Sequence, residues 1–392
     1  MIPSSHIRYV RIYPLAIPLR RPFRHAARAR AVADPIVIEV ELADGTLGYG
    51  ETLPRDYVSG ETVESVVRAI REELPADLLS FRPESFPEAL ECIERLPTRT
   101  TEGAVMTAAR AGIELALLDA YSRHFGRPIS EAVGWSGLPS LGWPGSLNQV
   151  RYSGVLSGDD AKKLKWSVRK MRLFGLRDFK LKVGYPDDEA RIRAVAAALG
   201  GRCTLRLDAN GAWDLARAVA VLQAVRDVTI RCVEQPLAVD READLPALRR
   251  QTGVRIVHDE SLVTLEDAER LIMAGVADGF NIRLSKNGGF LPALRLAHLA
   301  RKHELVCQLG CMVGETSILS AAGRRFLEQV PGVAFAEGSY GRFLLWGDVV
   351  RKPVGFGLGG RPRPLPGLGW GVDVDVDRLR EYVRPGVIET AL

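Results

Sequence analysis

The strongest constraint on this chain is a repeat. From residue 151 onward, short apolar and β-branched runs alternate with helical stretches at a period of about 25 residues. The runs are Arg151–Leu156, Phe179–Val183, Thr204–Leu207, Ile230–Val233, Arg255–Val257, Gly279–Arg283, Leu305–Gln308 and Val333–Ala336. Helical stretches such as Asp188–Leu199, Leu215–Val225 and Leu291–Lys302 lie between them. Strand–helix alternation of this kind makes βαβ units and a parallel sheet, and eight units close into a barrel.

Residues 1–140 read differently, as an α+β unit. Ile36–Leu42 alternates apolar and acidic residues, Asp44-Gly45 marks a tight turn, and Leu47–Glu51 follows as a strand. From Val63 to Val133 the pattern is helical, and Ala104 to His124 spaces small and apolar residues three and four apart to build a packing face. The barrel is expected over 141–345. The tail, 346–392, is rich in Gly and Pro and ends in a helix near Arg378–Tyr382. It is expected to run back to the N-terminal unit, because no strong amphipathic helix follows the last strand.

In a parallel βα barrel, reactive side chains stand at the C-terminal ends of the strands. Those ends carry Lys180 and Lys182 (FKLKVG), Asp208 (LRLDANG), Glu234 (CVEQP), Asp259 (IVHDES) and Lys286 (NIRLSKNGG). The steps from Lys182 are 26, 26, 25 and 27 residues, one ionisable group per unit on a single edge. A lone acid there reads as a rim ion pair; three on consecutive strands read as ligands for a hard cation. Magnesium suits such an oxygen set, with Mn2+ as the alternative, and the absence of a histidine pair or thiolate set disfavours zinc.

Lys180 and Lys182 are two apart on a strand and share a face. A second ammonium and a nearby dication favour the neutral amine of Lys182, which suits a general base near neutral pH. Lys286 comes from the opposite side of the ring. Two lysines flanking one cation can move a proton at either face of a substrate carboxylate's α-carbon, while the cation stabilises the developing charge. Lys180 reads as an electrostatic neighbour.

The ordered series KxK, DANGAW, EQP, DES and SKNGG resembles the enolase superfamily, specifically its muconate lactonizing enzyme subgroup. The resemblance implies a (β/α)7β TIM-like barrel with an α+β N-terminal capping domain. It carries Asp208, Glu234 and Asp259 over as magnesium ligands and Lys182 and Lys286 as the acid/base pair, with Asn210 and Glu260 beside them. Glu315 in GCMVGETS matches a glutamate near the site in this subgroup, and a rim ion pair is its other reading. Two departures stand out. Arg283 replaces a lysine many members carry three residues before the sixth-strand base. The Asp-x-Asp pair that dipeptide epimerases place at the eighth strand is absent, since Ala336-Glu337-Gly338-Ser339 leaves only Glu337.

The implied activity is racemisation, epimerisation or cycloisomerisation of a small carboxylate-bearing substrate. Its rivals are β-elimination with the same residues, a non-catalytic binding barrel, and a hydrolytic metal barrel, for which histidine ligands are missing. Substrate choice is expected to lie with segments 18–33 and 53–61. There Arg24, His25, Arg55 and Tyr57 read either as recognition of a polar distal group or as a solvated lid.

A net charge of +5 dispersed over 392 residues argues against a nucleic-acid partner. No run approaches a membrane span or an export signal, and five scattered cysteines make neither a zinc nor a disulfide pattern, so a cytoplasmic setting is expected. Homo-oligomerisation is expected by resemblance. Gly355-Phe356-Gly357-Leu358-Gly359-Gly360 matches G-x-G-x-x-G, but Pro353 precedes it and Arg-Pro-Arg-Pro follows, so the dinucleotide reading lacks its strand and helix. Asp373, Asp375 and Asp377 imitate a calcium loop whose required glycine and terminal glutamate are Arg378 and Arg384.

Overall fold

The computed structural model describes residues 4–384 apart from 26–27, 76–77, 79–80, 143–145 and 159; the side chains of 23–29 also lie outside the described set. Five N-terminal strands come first: β1 (Ile7–Pro14), β2 (Ile17–His25), β3 (Arg28–Ala33), β4 (Ile36–Leu42) and β5 (Leu47–Thr52). β1, β4 and β5 form an antiparallel sheet, and β2 and β3 pair as a separate two-stranded ribbon. Segment 18–33, expected as a capping loop, is therefore mostly this ribbon.

Helix Thr107–His124 lies directly on β5. Gly48 and Gly50 make that approach, because a Cβ on either would collide with the helix backbone at Ala120, Ala116 or Gly112. The helix is buried almost all round and has no side-chain cap of its own. Instead the carboxylate of Glu61 accepts from the amides of Ala108 (2.8 Å) and Ala109 (3.1 Å), placing negative charge at the helix N-terminus. The same contact anchors the end of segment 53–61.

The barrel strands are β6 (Gly154–Leu156), β7 (Asp178–Lys182), β8 (Thr204–Asp208), β9 (Val233–Glu234), β10 (Ile256–His258), β11 (Gly279–Ile282), β12 (Val306–Leu309) and β13 (Phe335–Ala336). They pair in parallel and in sequence order, and a parallel bridge from Tyr152 to Ala336 closes the ring. All eight sequence-derived runs find their strand. The fourth is the least regular: only Val233–Glu234 is paired, whereas the run reads Ile230–Val233. Helices such as Asp188–Leu199, Leu215–Ala224 and Phe290–Lys302 form the outer layer.

Three buried polar contacts lock the N-terminal unit onto the barrel mouth. Glu51 at the end of β5 accepts from the amides of Thr316 (2.7 Å) and Leu319 (2.8 Å) at the start of helix Ser317–Gln329. Glu114 accepts from the amide of Leu291 at 2.8 Å. Ser285 meets Thr52 Oγ1 at 2.8 Å. Gly289, with φ 117°, lies where any Cβ would overlap the Glu114 carboxylate, which accounts for the second glycine of SKNGG.

Residues of the tail bond to the N-terminal unit. Arg384 N donates to Pro14 O at 2.9 Å, and the buried Trp370 donates through its amide to Asp119 (2.9 Å) and through Nε1 to Leu115 O (2.9 Å). Its ring packs against Phe290 of the barrel, centroids 5.6 Å apart, so one side chain joins tail, sheet-covering helix and barrel. Trp370→Ala is expected to lower stability by about 3–5 kcal/mol, the cost of deleting a buried aromatic. Urea unfolding measures it; a loss below about 1 kcal/mol would contradict this role.

Candidate active site

The strand alternation that aims Lys180 and Lys182 at one face also aims Arg206 and Asp208, the next strand's pair, into the barrel. Lys180 is buried, with Nζ 3.2 Å from Asp208, 3.1 Å from Glu234 and 2.9 Å from Glu337. Burial opposes its charge, but those three carboxylates outweigh it and hold the ammonium well above the usual lysine range. Lys180 is thus a fixed cation. Lys182 Nζ lies 3.1 Å from Asp208 Oδ2 and 2.6 Å from Asn210 Oδ1. Asn210 turns into the left-handed region (φ 44°) and donates through Nδ2 to Glu260 Oε1 at 3.0 Å.

Asp208, Glu234 and Asp259 are fully buried at adjacent strand ends. Desolvation opposes the charged forms of Asp208 and Asp259; Lys182 and Lys180 for the first, and Arg283 and Lys286 for the second, outweigh it and hold both below the usual carboxylate range. Glu234 moves the other way, raised by burial and by repulsion from Asp208 and Asp259 against the pull of Lys180. Asn281 Nδ2 (2.9 Å) and Gln308 Nε2 (2.8 Å) donate to its two oxygens. Gln235 accepts from the amides of Asp259 (3.2 Å) and Ser261 (3.1 Å), so the EQP glutamine fixes the end of β10.

Lys286 donates to Asp259 Oδ1 (2.9 Å), Asp259 O (2.8 Å) and Asn281 O (2.9 Å). Burial lowers its proton affinity below the ordinary lysine value, and Arg283 adds to that while Asp259 opposes it. Arg283 binds the other oxygen of the same carboxylate and lies 3.7 Å from Glu234.

Above these residues opens a cavity of about 710 Å³. Lys180, Lys182, Asn210, Glu260, Arg283 and Glu337 form its polar end. Lys286 is not part of that wall: Asp259 is shared between two cations, and Arg283 takes the cavity side. Tyr57 and Arg55 line the cavity, and Arg21 of the ribbon joins them. Arg55 is buried and tied to Asp34 (2.8 Å) and Val313 O (3.1 Å), so it braces segment 53–61 against the barrel. The side chains of Arg24 and His25 lie outside the described residues.

Glu337 is committed to Arg206 and Lys180. Glu315 stands apart from the acid cluster and accepts from Ser320 Oγ (2.8 Å), Met312 N (3.2 Å) and Ser339 N (3.3 Å). Arg206, Asn281 and Gln308 escaped the sequence reading, whereas Arg21 lies in segment 18–33, expected to bear on substrate choice. Arg206 alone had a local signal, two residues before Asp208 on the same strand.

The donor chemistry fits a hard dication: three buried carboxylates repel one another, and Glu260 Oε2, beside Asp259, is buried with no hydrogen-bond donor. The side chains as they stand do not close around an ion; among the described residues no three His, Cys, Asp or Glu groups are gathered to hold one. Arg283, bridging Asp259 and Glu234, occupies the middle of the set.

A strand-end lysine and acid set on an eight-stranded parallel barrel, roofed by an α+β unit, defines a class of enzyme. Residues 7–134 match the mandelate racemase/muconate lactonizing enzyme N-terminal domain, and residues 163–378 match the enolase C-terminal domain-like family. The chain belongs to the enolase superfamily, in its muconate lactonizing enzyme-like subgroup, among the superfamily's isomerases. It is 29% identical to N-succinyl-L-Arg/Lys racemase of Bacillus cereus over 80% of this chain and 82% of that one. The crystal structure of that racemase superposes with a TM-score of 0.86 at 26% identity, covering 99% of this chain and all of that one. Hydrophobic dipeptide epimerase of Enterococcus faecalis is 31% identical over 80% and 84% of the two chains. A structure of dipeptide epimerase from that organism, complexed with Mg and L-Leu-L-Tyr, gives a TM-score of 0.80 at 28% identity, covering 94% and 99%. Muconate cycloisomerase 1 of Pseudomonas putida is 27% identical over 86% and 87%. No helix among the described residues is long and apolar enough to cross a membrane.

Burial pushes the Glu315 carboxyl up to about 7 against hydrogen bonds that favour its charged form. A folded pKa above the unfolded value means stability that is complete at low pH and lost as pH rises through about 7. Relative to the natural chain, Glu315→Gln should gain stability between about pH 5 and pH 8, by up to about 3 kcal/mol. Urea unfolding across that range measures the difference; a pH-independent difference would contradict the assignment.

Proposed function

We propose that this enzyme removes the proton α to a substrate carboxylate and returns a proton to the same carbon, racemising or epimerising it. The carrying observation is that Lys182 opens into the cavity while held by Asp208 and Asn210, with Lys286 and three buried carboxylates at the same barrel mouth. Lys182 serves as acid/base on one face of the α-carbon. Lys286, whose proton affinity burial lowers below the ordinary lysine value, serves the other. Asp208, Glu234 and Asp259 would hold Mg2+, which supplies Lewis-acid stabilisation of the charge developing on the substrate carboxylate. Lys180 and Arg283 favour the ionised forms of Asp208 and Asp259 and add positive potential where charge accumulates. Glu260, through Asn210, orients the Lys182 amine.

The relatives are a racemase, epimerases and a cycloisomerase, which favours reprotonation or ring closure over loss of a leaving group. Dipeptides with a free amino terminus fit less well, because Glu337, the one eighth-strand acid, already carries Arg206 and Lys180.

The test is α-proton exchange in D2O with Mg2+, followed by NMR on both enantiomers of a panel of N-acyl amino acids and dipeptides. Lys182→Ala and Lys286→Ala should each cut exchange about 10²–10⁴-fold, each for the opposite enantiomer. Exchange from both enantiomers in either variant would refute the two-base assignment, and no exchange from the natural chain with any substrate would refute proton abstraction.

A further inference from the structure

The glycine-rich segment 355–360 has no strand directly before it and no helix directly after it, and it brings Phe356 into the wall of the active cavity. Gly360, with φ 72°, packs so tightly on the barrel that a Cβ would come within 2.5 Å of Tyr152 O. Gly175 (φ 92°) faces Gly359, where a Cβ would lie 3.0 Å from the opposing Cα. Two backbone bonds fix the approach: Tyr152 N to Gly360 O and Gly359 N to Phe174 O, both 2.8 Å. Glycine is required here because the backbones touch and the conformation is left-handed.

What this docking delivers is Phe356. Its ring is the hub of an aromatic cluster, with centroids 5.2 Å from Tyr152, 6.1 Å from Phe174, 5.9 Å from Tyr340 and 5.9 Å from Phe343. Phe356, Phe174, Phe343 and Trp166 line the same cavity whose other end holds Lys182. Trp166 is 55% exposed, Phe343 53% and Phe174 37%, so the rings present apolar surface rather than being consumed by the core. Adjacent exposed rings beside a charged site mark a surface meant to be covered.

Charge narrows what covers it. Arg21, Arg55, Lys170, Lys182 and Arg283 all line the cavity. Only two acids stand among the described lining residues: Glu337 pairs with Arg206 and Lys180, and Glu260 holds Asn210 through one oxygen while the other is buried with no donor. Cations outnumber acids along the described lining, which favours an anionic occupant over an ammonium.

We infer that Phe356, with Phe174, Phe343 and Trp166, forms a compartment that takes the aryl or extended apolar group of an anionic, amine-free substrate. This rests on the reading that the polar end receives the substrate carboxylate. The substrate class is a carboxylic acid whose α-nitrogen or equivalent is neutral, as in an N-aroyl amino acid, with its apolar end against Phe356.

Calorimetric titration of the full chain with Mg2+ tests it, using N-benzoylglycine, N-acetylglycine and 3-phenylpropylamine. N-benzoylglycine should bind roughly tenfold or more tighter than N-acetylglycine, and the amine should not saturate. The benzoyl-to-acetyl ratio should fall below about threefold in Phe356→Ala and in Phe343→Ala, whose half-exposed ring can be removed without emptying the core. Equal affinity for the two acids, saturable amine binding, no saturable N-benzoylglycine binding, or a ratio unchanged in both variants would overturn the compartment. The exchange assay reads the reaction separately. Selectivity without exchange would keep the compartment and refute proton abstraction; exchange without selectivity would do the reverse.

Discussion

Three carboxylates buried at adjacent strand ends would be intolerable without compensation, and their compensation organises this molecule. Asp208, Glu234 and Asp259 have no exposed surface and raise one another's proton affinity. Lys180, Lys182, Lys286 and Arg283 answer them within hydrogen-bonding or ion-pair distance. Burying such charges costs several kcal/mol per ion, so removing one partner from the network is far worse than never having built it. The arrangement is functional first. A hydrophobic barrel mouth would be at least as stable, but it would have no field to offer a developing negative charge.

The network also explains why the neighbouring elements are held so firmly. Gln235, Asn281 and Gln308 spend their amides on the acids or on the backbone beneath them, so each carboxylate has one orientation. Glu51, Glu114 and Ser285 then clamp the N-terminal unit over the same mouth. Trp370 and the segment around Phe356 bring the tail in from two directions, one onto the roof and the other onto the cavity wall. The site is thus a joint product of the barrel, the roof and the tail, with lysines and acids at one end of the cavity and aromatic rings at the other.

The barrel and the charged set were legible because both obey a local rule. A strand each 25 or so residues, ending in an ionisable group, needs no knowledge of distant contacts. What escaped depends on pairs far apart in the chain. Arg206 meets Glu337 across 131 residues, and Gln308 reaches Glu234 across 74. Arg21 enters the cavity because segment 18–33 pairs as a ribbon, which its proline and arginine content hid. Arg283, marked in the sequence as a departure from the subgroup's pattern, shares the Asp259 carboxylate with Lys286 and takes the cavity side, a pairing that no local spacing announces. Phe356 sat in a glycine-rich motif with no strand directly before it and no helix directly after it, and there Gly359 and Gly360 allow close backbone contact with the segments around Gly175 and Tyr152.

On the proposed reading, the buried acids would hold a divalent cation. Calorimetric titration of the full chain with Mg2+, beside Asp208→Asn, tests it directly. The natural chain should show saturable binding of about one ion per chain, and the variant, whose carboxamide keeps the size and loses the charge, should bind far more weakly. Absence of saturable binding, or equal binding by both proteins, would contradict it.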